Sequence, residues 1–137
     1  MALAFSDQWA KAWGAALNGS TTYREAAATW EGSIAVTVSG ASGQGEPAVF
    51  LDVWHGHCRA AREATSDDVA DAAFVLEATP AAWKLVLASQ VSPVMALLTG
   101  QIRLVRGDLT RLLPYTAAAK ELVRLAGAIE TEFPPDW

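Results

Sequence analysis

TPAAWKLVLASQVSPVMALLTGQIRLVRGDL, residues 79–109, is the stretch that decides the fold. Within it, Thr79-Pro80 and Ser92-Pro93 each place a hydroxyl side chain directly before a proline. A hydroxyl at the N-cap accepts a free backbone N–H, and proline suits the first helical position, so each pair predicts a helix start. Gly100 can adopt the left-handed turn that ends the second of these helices.

The second half of this stretch changes from helical to strand periodicity. Gln101–Arg106 alternates polar and apolar residues, which predicts a strand. Gly107 ends that strand, and Asp108 is suited to cap a third helix. The stretch therefore predicts a helix, a short helix, a strand and another helix, in that order.

The residues before Trp30 predict two further helices. Ser6 can cap the first, in which an apolar residue recurs every four positions as one stripe, formed by Phe5, Trp9, Trp13 and Leu17. Asn18-Gly19 ends that helix, and Thr22 with Glu25 resembles a capping box for a short second one. The aromatic side chains are expected to anchor the core, with the lining of a ligand mouth as the alternative.

From Trp30 the pattern takes the period of two that is typical of a half-buried strand, and this strand continues to Val38. Residues 39–45, rich in Ser and Gly, predict a hairpin loop rather than a linker between domains. Ala48–Trp54 is the predicted partner strand, and His55-Gly56 predicts a tight turn after it.

Two more strands are predicted after that turn. His57–Ala64 is the third strand of the sheet, and Asp71–Ala78 is the fourth. Between them, Thr65–Asp68 is predicted as a polar loop that keeps its acidic side chains in solvent. Gln101–Arg106 brings the number of predicted strands to five.

The last helix is predicted from Leu109 to about Glu130, because apolar residues there recur at steps of three and four. Pro114 lies inside this helix and predicts a kink or a break. The tail beyond it is not helical, and its Phe133 and Trp137 either fold back onto the domain or stay loose.

Length and composition fit one domain, residues 1–137, with a real core. Hydrophobic residues make up 52% of the chain and charged residues 18%, and the mean hydropathy is +0.19. Such a surplus of apolar side chains has two ordinary uses, a wide core or an apolar cavity or interface.

The net charge of −5 argues against several partners. An acidic chain lacks the basic surface that nucleic acid requires, and anionic membrane surfaces are disfavoured for the same reason. The single cysteine permits no internal disulfide, which makes the cytoplasm the default location. The first residues have no basic region and no long apolar run, so we expect neither a signal peptide nor stable membrane insertion.

His55, His57 and Cys58 form the most reactive-looking cluster, because all three are possible metal ligands. A zinc site usually takes four ligands from two separated pairs, and the chain has no further Cys or His. Catalysis by Cys58 with His57 as base also needs a third orienting group, and neighbouring strand residues point apart. We therefore expect no enzyme, no metal site and no cofactor.

The order of these elements resembles the sterol carrier protein type-2 family. The resemblance rests on a six-residue strand between Gly100 and Gly107-Asp108, on a strand that contains Trp30-Glu31-Gly32, and on the hairpin and strand that end at Thr79. It covers most of residues 30–129. It implies an α+β domain whose largely antiparallel five-stranded sheet has helices packed on one face.

The same resemblance implies an apolar tunnel between sheet and helices that binds sterols, fatty acids or acyl-CoA-like lipids. The expected function is non-enzymatic binding and carriage of such a ligand. An apolar lining takes the place of a catalytic motif, and the candidate ligand-binding residues, chosen by their facing, are Ile34, Val36, Leu51, Phe74, Leu76, Trp83, Leu87, Met95, Leu98, Ile102, Leu104, Tyr115, Ala119 and Leu122.

Two other functions stay open at this point. Phe50 and Trp54 would share the sheet face away from the helices, where exposed aromatic residues could build a homodimer or another protein interface. An enzyme that uses the hairpin with His55 and His57 is the third hypothesis.

Overall fold

The computed structural model describes residues 1–40, 47–135 and 137, so most of the loop predicted at 39–45 lies outside the described residues. The regular elements follow one another as β1 Ala2–Leu3, α1 Asp7–Asn18, α2 Thr21–Ala26, β2 Ile34–Val38, β3 Ala48–Trp54, β4 His57–Glu63, α3 Ser66–Asp71, β5 Phe74–Ala78, α4 Pro80–Leu87, α5 Pro93–Leu98, β6 Arg103–Arg106, α6 Leu109–Leu112, a 3₁₀ turn Leu113–Tyr115, α7 Thr116–Ala128 and β7 Thr131–Glu132.

The main sheet has five strands in the order β4-β3-β2-β5-β6. Neighbouring strands run antiparallel except β2 and β5, which are parallel because the β3–β4 hairpin and α3 separate them in the chain. This arrangement confirms the predicted α+β class and the largely antiparallel sheet. Strands β1 and β7 form a separate two-stranded parallel sheet that joins the two ends of the described chain.

The β3–β4 hairpin turns through two residues, as predicted. His55 and Gly56 have φ values of +49° and +82°, and a left-handed residue at both central positions is what a type I′ hairpin turn requires. Glycine is needed at position 56 because a side chain there would run into the backbone of Arg24. The ladder register shifts between Asp52 and Val53, a bulge that bends the strand.

Helix α1 packs across β3 and β4, and all four residues of the predicted apolar stripe are buried, Phe5 just before the helix and Trp9, Trp13 and Leu17 within it. Its predicted cap is confirmed, since Ser6 Oγ accepts the N–H of Trp9 at 3.2 Å. The second helix begins earlier than predicted. Its cap is Ser20 rather than Thr22, and Ser20 Oγ accepts the N–H of Tyr23 at 3.0 Å.

Helix α3, like strands β1 and β7, is an element that the sequence analysis did not predict. The segment predicted as a polar loop forms a capping box, in which Thr65 Oγ1 accepts the N–H of Asp68 at 3.1 Å and Asp68 Oδ2 accepts the N–H of Thr65 at 3.0 Å. This motif usually has Glu or Gln at its last position, and the Asp here disguises it. As a result the fourth strand begins at Phe74 rather than at Asp71.

Helix α3 also lies on the sheet face opposite to the other helices. Ala35, Ala72 and Val75 form a small buried cluster on that face, with Phe50 and Val69 packed against it. The main core, on the other face, lies beneath the remaining helices. The open face of the sheet is therefore partly covered, which the sequence did not predict.

Both predicted helix starts in the stretch 79–109 are confirmed. Thr79 Oγ1 accepts the N–H of Ala82 at 3.2 Å, and Ser92 Oγ accepts the N–H of Met95 at 3.1 Å. Each proline lies in the first helical turn. The hydroxyl–proline pairs therefore fix where α4 and α5 begin.

The following strand is shorter than predicted. Gly100 has the expected left-handed φ of +82°, but β6 begins only at Arg103. The reason is that the N–H of Ile102 still bonds back to the carbonyl of Ala96 at 3.0 Å, so the turn after α5 extends by two residues. Asp108 then caps α6, as predicted.

The C-terminal segment breaks at Pro114, as predicted, because the 3₁₀ turn Leu113–Tyr115 separates α6 from α7. The tail folds back onto the domain. The ring centroid of Trp137 lies 5.6 Å from that of Phe5, and Phe133 packs 5.9 Å from Trp137. Of the two alternatives for the tail, the structure has the packed one.

Glu121 of α7 is a buried carboxylate that fastens α7 to the start of α2. Its Oε2 accepts the hydroxyl of Ser20 at 2.9 Å, and Arg124 donates to both carboxylate oxygens at 2.6 Å. The Arg124 guanidinium, with a smaller contribution from Ser20, holds the pKa of Glu121 below its ordinary value, although burial acts in the opposite direction.

Glu121 should make the domain sensitive to acid. A carboxylate with a lowered pKa in the folded state stabilises the fold above its unfolded pKa, and that stabilisation is lost as the pH falls. We expect Glu121→Gln to be less stable than the natural chain at pH 7 and to lose less stability between about pH 5 and pH 3. Urea unfolding at several pH values measures both effects. Glu130→Gln, which changes an exposed carboxylate, is the control, and identical pH slopes in all three proteins would contradict this role.

Candidate functional site: an apolar cavity between sheet and helices

A cavity of about 90 Å³ lies between the main sheet and the helices that cover it. Its wall combines side chains of β2 and β5 with side chains of six helices. Every wall residue is apolar or aromatic, namely Phe5, Trp9, Trp13, Tyr23, Ala27, Trp30, Ile34, Val36, Leu76, Trp83, Leu87, Pro93, Val94, Leu97, Ile102, Leu112, Tyr115, Ala118, Ala119, Leu122 and Val123.

The sheet forms one side of the cavity through side chains that share a facing. Ile34 and Val36 are two positions apart on β2, and Leu76 lies opposite Val36 in the parallel β2–β5 ladder. Ile102, just before β6, extends the same side. Because side chains alternate along a strand, the period-two pattern of the sequence determines which residues face the cavity.

Four tryptophans line the cavity with their rings, and each donates its indole N–H to a protein oxygen. Trp9 donates to Thr131 Oγ1 at 3.0 Å, and Trp13 donates to the carbonyl of Leu122 at 2.9 Å. Trp30 donates to the carbonyl of Gly32 at 2.9 Å, and Trp83 donates to the carbonyl of Thr37 at 2.8 Å. An indole has a single donor, so these rings present only apolar surface to an occupant.

Two tyrosines also lie in the wall without bringing charge to it. The hydroxyl groups of Tyr115 and Thr29 are hydrogen-bonded at 2.8 Å. Burial raises the pKa of Tyr23 above its ordinary value, so its phenol stays neutral. A wall that has no charge, and in which the four indole donors and the Tyr115 hydroxyl are hydrogen-bonded, favours an apolar occupant.

The wall of the cavity is unevenly buried. Val94 and Leu97 of α5 and Ala119 and Val123 of α7 are half-buried, as are wall residues of β5, α4 and α6, whereas Trp9 of α1 is fully buried. The cavity is therefore more enclosed beside α1 and α2 than beside α5 and α7.

The structure brings nine of the fourteen predicted ligand-binding residues together in this wall. They are Ile34, Val36, Leu76, Trp83, Leu87, Ile102, Tyr115, Ala119 and Leu122. That these side chains contact a ligand stays a prediction. Most side chains of β2, β5 and α7 that were predicted to face the helices or the sheet line the cavity.

Three other predicted residues lie within or beside the core but not on the cavity wall. Leu51 is fully buried on β3, the strand that α1 covers. Phe74 is buried with its ring 5.0 Å from that of Trp30, and so stands behind a wall residue. Leu104 is half-buried on the edge strand β6.

Met95 and Leu98 of α5 point outward and are 54% and 58% exposed, whereas Val94 and Leu97 line the cavity. Helix α5 reads PVMALL and has no polar residue to mark an outer face. Periodicity alone therefore could not show which of the two apolar pairs faces inward.

The first two helices contribute more to the wall than the sequence interpretation gave them. Trp9, Trp13 and Tyr23 line the cavity together with Phe5 and Ala27. The sequence signal is the four-residue spacing of Phe5, Trp9 and Trp13, which favours the core and leaves the lining of a ligand mouth as the alternative. In the structure the same rings belong to both the core and the cavity wall, because one face of a ring can pack against core side chains while the other borders the cavity.

The His55, His57 and Cys58 cluster does not assemble into a site. His55 Nε2 lies 2.6 Å from Glu31 Oε2 on the surface, and His57 is also exposed, while Cys58 is buried on the other side of its strand. Within residues 1–40, 47–135 and 137, no three His, Cys, Asp or Glu side chains are grouped so that they could hold a metal ion. No helix in that part of the chain is long and apolar enough to cross a membrane.

Cys58 should be chemically inert in the folded protein. Burial raises the pKa of its thiol to about 11, so the reactive thiolate is scarce at neutral pH. We expect the native protein to react with a thiol reagent such as dithionitrobenzoate at least tenfold more slowly than the urea-unfolded chain at the same pH. Equal rates in the two states would show that Cys58 is exposed.

The main sheet, the helices packed on it and the apolar cavity between them place the chain in a structural class, the small α+β domains that enclose space for an apolar molecule. The SCP-2 sterol transfer family matches residues 14–120, and the chain belongs to this family. Its members are lipid carriers that bind and transfer hydrophobic lipids and are generally not catalytic. The family resemblance seen in the order of elements is thereby confirmed.

Solved structures agree with this assignment. A crystal structure of sterol carrier protein 2 is 43% identical, with a TM-score of 0.83 over 91% of this chain and 98% of that chain. A Thermus thermophilus protein described as possibly a sterol carrier protein is 42% identical, with a TM-score of 0.83 over 93% and 90%. Sterol carrier protein 2 from Yarrowia lipolytica in its apo form shares the fold alone, at 13% identity and a TM-score of 0.58 over 86% and 88%. No curated protein matches the sequence.

Proposed function

We propose that this chain binds a fatty acid, acyl chain or sterol-like lipid in the cavity between sheet and helices and carries it without chemical change. The observation that carries the proposal is the uniformly apolar wall, in which four tryptophans have directed their N–H groups away from the cavity. A hydrogen-bonding substrate would find no free indole donor there. A hydrocarbon chain needs none.

The size of the cavity limits what it holds without rearrangement. A volume of about 90 Å³ is several times the space that a single water needs, so the cavity takes several methylene-sized groups of a chain. At about 0.8 kcal/mol per methylene, burial of about five such groups would contribute about 4 kcal/mol before ordering costs. A longer chain or a sterol ring system must therefore extend out of the cavity or displace side chains of its wall.

Two measurements test the proposal. Organic extraction and mass spectrometry of freshly purified protein should find a lipid near one molecule per chain, and a fluorescent fatty acid should bind saturably to the delipidated protein. The four wall tryptophans provide an internal signal, since binding should change their emission. An extract without lipid, together with the absence of saturable fatty-acid binding, would remove the proposal.

The interaction-module alternative receives less support from the surface than the sequence suggested. Phe50 is half-buried against α3, and the Arg62 guanidinium lies 4.6 Å from the centre of its ring. Trp54, which is 37% exposed, is then the main aromatic residue left on that face. Dimerisation through this face stays a prediction, as does the cytoplasmic location.

A further inference from the structure

We propose that the Tyr23 hydroxyl is a ligand contact on the more enclosed side of the cavity, where it hydrogen-bonds to an uncharged oxygen, a hydroxyl or a carbonyl, at the inner end of the bound lipid. The inference rests on the proposed function and deepens it. It names the residue that orients the lipid and the chemical group that this residue selects.

Tyr23 is a buried wall residue whose hydroxyl is unpaired. It lies on α2, is 2% exposed and lines the cavity. Its hydrogen bond to Ser20 Oγ comes from its backbone N–H, and within the part of the chain that the structure describes no group is hydrogen-bonded to its hydroxyl. Since a buried tyrosine hydroxyl usually has a partner, this one is available to a ligand.

The surroundings of the Tyr23 hydroxyl indicate where it points. Among residues 1–40, 47–135 and 137, every side-chain nitrogen or oxygen that protein atoms enclose fully has a hydrogen-bond partner. The Tyr23 hydroxyl has none, so protein atoms do not enclose it fully and it borders open space. Because Tyr23 is almost completely removed from the outer surface, that space is the cavity that its side chain lines.

Tyr23 differs in this respect from the other polar side chains of the wall. The four indole N–H groups donate to protein oxygens, and the Tyr115 hydroxyl is hydrogen-bonded to that of Thr29. Among the wall side chains that the structure describes, Tyr23 alone therefore has a free hydrogen-bonding group. A largely apolar site with very few polar groups is typical of ligand pockets, in which the polar groups fix the orientation of the ligand.

The backbone around Tyr23 is held in place without a ligand. Ser20 Oγ accepts the N–H of Tyr23 at 3.0 Å, and the Ser20 hydroxyl donates to Glu121 Oε2 at 2.9 Å. Arg124 in turn donates to both oxygens of Glu121. This chain of hydrogen bonds fastens α2 to α7, so the hydroxyl of Tyr23 needs little further ordering when a ligand binds.

The chemistry of the wall favours an uncharged oxygen as the partner. No wall residue is charged, so an ionised carboxylate or phosphate would lose its water without gaining a counter-ion. Burial, with a smaller contribution from Cys58, raises the pKa of Tyr23, so its phenol is neutral and can both donate and accept. An alcohol or carbonyl oxygen matches it, whereas a fatty acid would enter with its methyl end first and keep its carboxylate on the less enclosed side, beside α5 and α7.

The test compares the natural chain with Tyr23→Phe in binding two ligands of equal chain length, octanol and chlorooctane, followed by the emission of the wall tryptophans. Loss of a neutral hydrogen bond should weaken octanol binding roughly fivefold, and chlorooctane, whose chlorine hydrogen-bonds poorly, should bind both proteins within about twofold. The other tyrosine, Tyr115, also lies in the wall, so the matched control is this second ligand rather than a second variant. Equal octanol affinity in both proteins, or an equal loss for both ligands, overturns the inference.

Two further measurements separate this role from a structural one and from the proposed function. Thermal unfolding without ligand should place the Tm of Tyr23→Phe no more than about 2 °C below that of the natural chain, because the hydroxyl has no protein partner to lose. A larger fall would reveal such a partner and overturn the inference. Normal binding of a fluorescent fatty acid, together with unchanged octanol affinity in Tyr23→Phe, would remove the role of Tyr23 alone, whereas a natural chain that binds none of these ligands would remove the proposed function as well.

Discussion

Ala119→Phe is expected to abolish high-affinity lipid binding while the domain stays folded. Ala119 lies in the wall of the cavity on α7 and is half-buried. The substitution adds the six carbon atoms of a phenyl ring, a group large enough to fill much of a cavity of about 90 Å³. The protein's own ring would then occupy the space proposed for the ligand.

The size of this effect follows from the apolar area that the ligand can no longer bury. Loss of about six methylene contacts at about 0.8 kcal/mol each removes about 5 kcal/mol of favourable burial. Even a third of that loss raises the dissociation constant more than tenfold, because 1.4 kcal/mol corresponds to a factor of ten. Titration with a fluorescent fatty acid measures the change directly.

Ala117→Phe provides the matched control for this experiment. Ala117 is exposed two positions away on the same helix, so the substitution has a similar cost in helix propensity but places its ring in solvent. We expect its lipid affinity to stay within about twofold of that of the natural chain. If Ala119→Phe binds lipid as well as Ala117→Phe does, the ligand does not occupy this cavity.

Local signals in the sequence were sufficient for several element boundaries, although β2 begins at Ile34 rather than at the predicted Trp30. Hydroxyl–proline pairs, the His55-Gly56 turn and the break at Pro114 each depend on a few adjacent residues, and all appear in the structure as predicted. Helix α3 escaped notice because its cap uses Asp68 in place of Glu, although the cause is equally local. These features depend on backbone sterics and short-range hydrogen bonds, which can be predicted from a few neighbouring residues.

Residues of the cavity wall could be predicted only where the spacing of apolar residues also determines which way each side chain faces. Strands fix facing by alternation, so Ile34, Val36 and Leu76 were placed correctly beside the cavity. An all-apolar helix such as α5 does not fix its facing, and the choice between Leu97 and Leu98 depends on contacts between α5 and α7 that lie far apart in sequence. The parallel pairing of β2 with β5 likewise depends on contacts between strands that are far apart in the chain, and no local signal predicts it.

Gly127→Ala should destabilise the domain, although helix propensity alone predicts the opposite. Gly127 lies in the last turn of α7, where replacing glycine by alanine would ordinarily gain up to about 1 kcal/mol. Here α7 ends directly against the end of α4, and a Cβ at position 127 would clash with the carbonyl oxygen of Leu87. That oxygen belongs to the backbone, so a change of side-chain rotamer cannot relieve the clash.

One of the two helices must therefore shift, and Leu87 is itself part of the cavity wall. Overpacking of this kind costs about 1–3 kcal/mol, which for a domain of this size corresponds to a fall in Tm of roughly 4–12 °C. Gly19→Ala is the control, because Gly19 has a right-handed φ of −88° and its nearest contact to a new Cβ, at 3.5 Å, is of ordinary length. Thermal unfolding should place Gly19→Ala within about 2 °C of the natural chain and Gly127→Ala well below it. A higher Tm for Gly127→Ala would mean that α4 does not approach α7 closely, and the cavity wall at Leu87 would then have to be redrawn, because the contact between these helix ends holds Leu87 against α7.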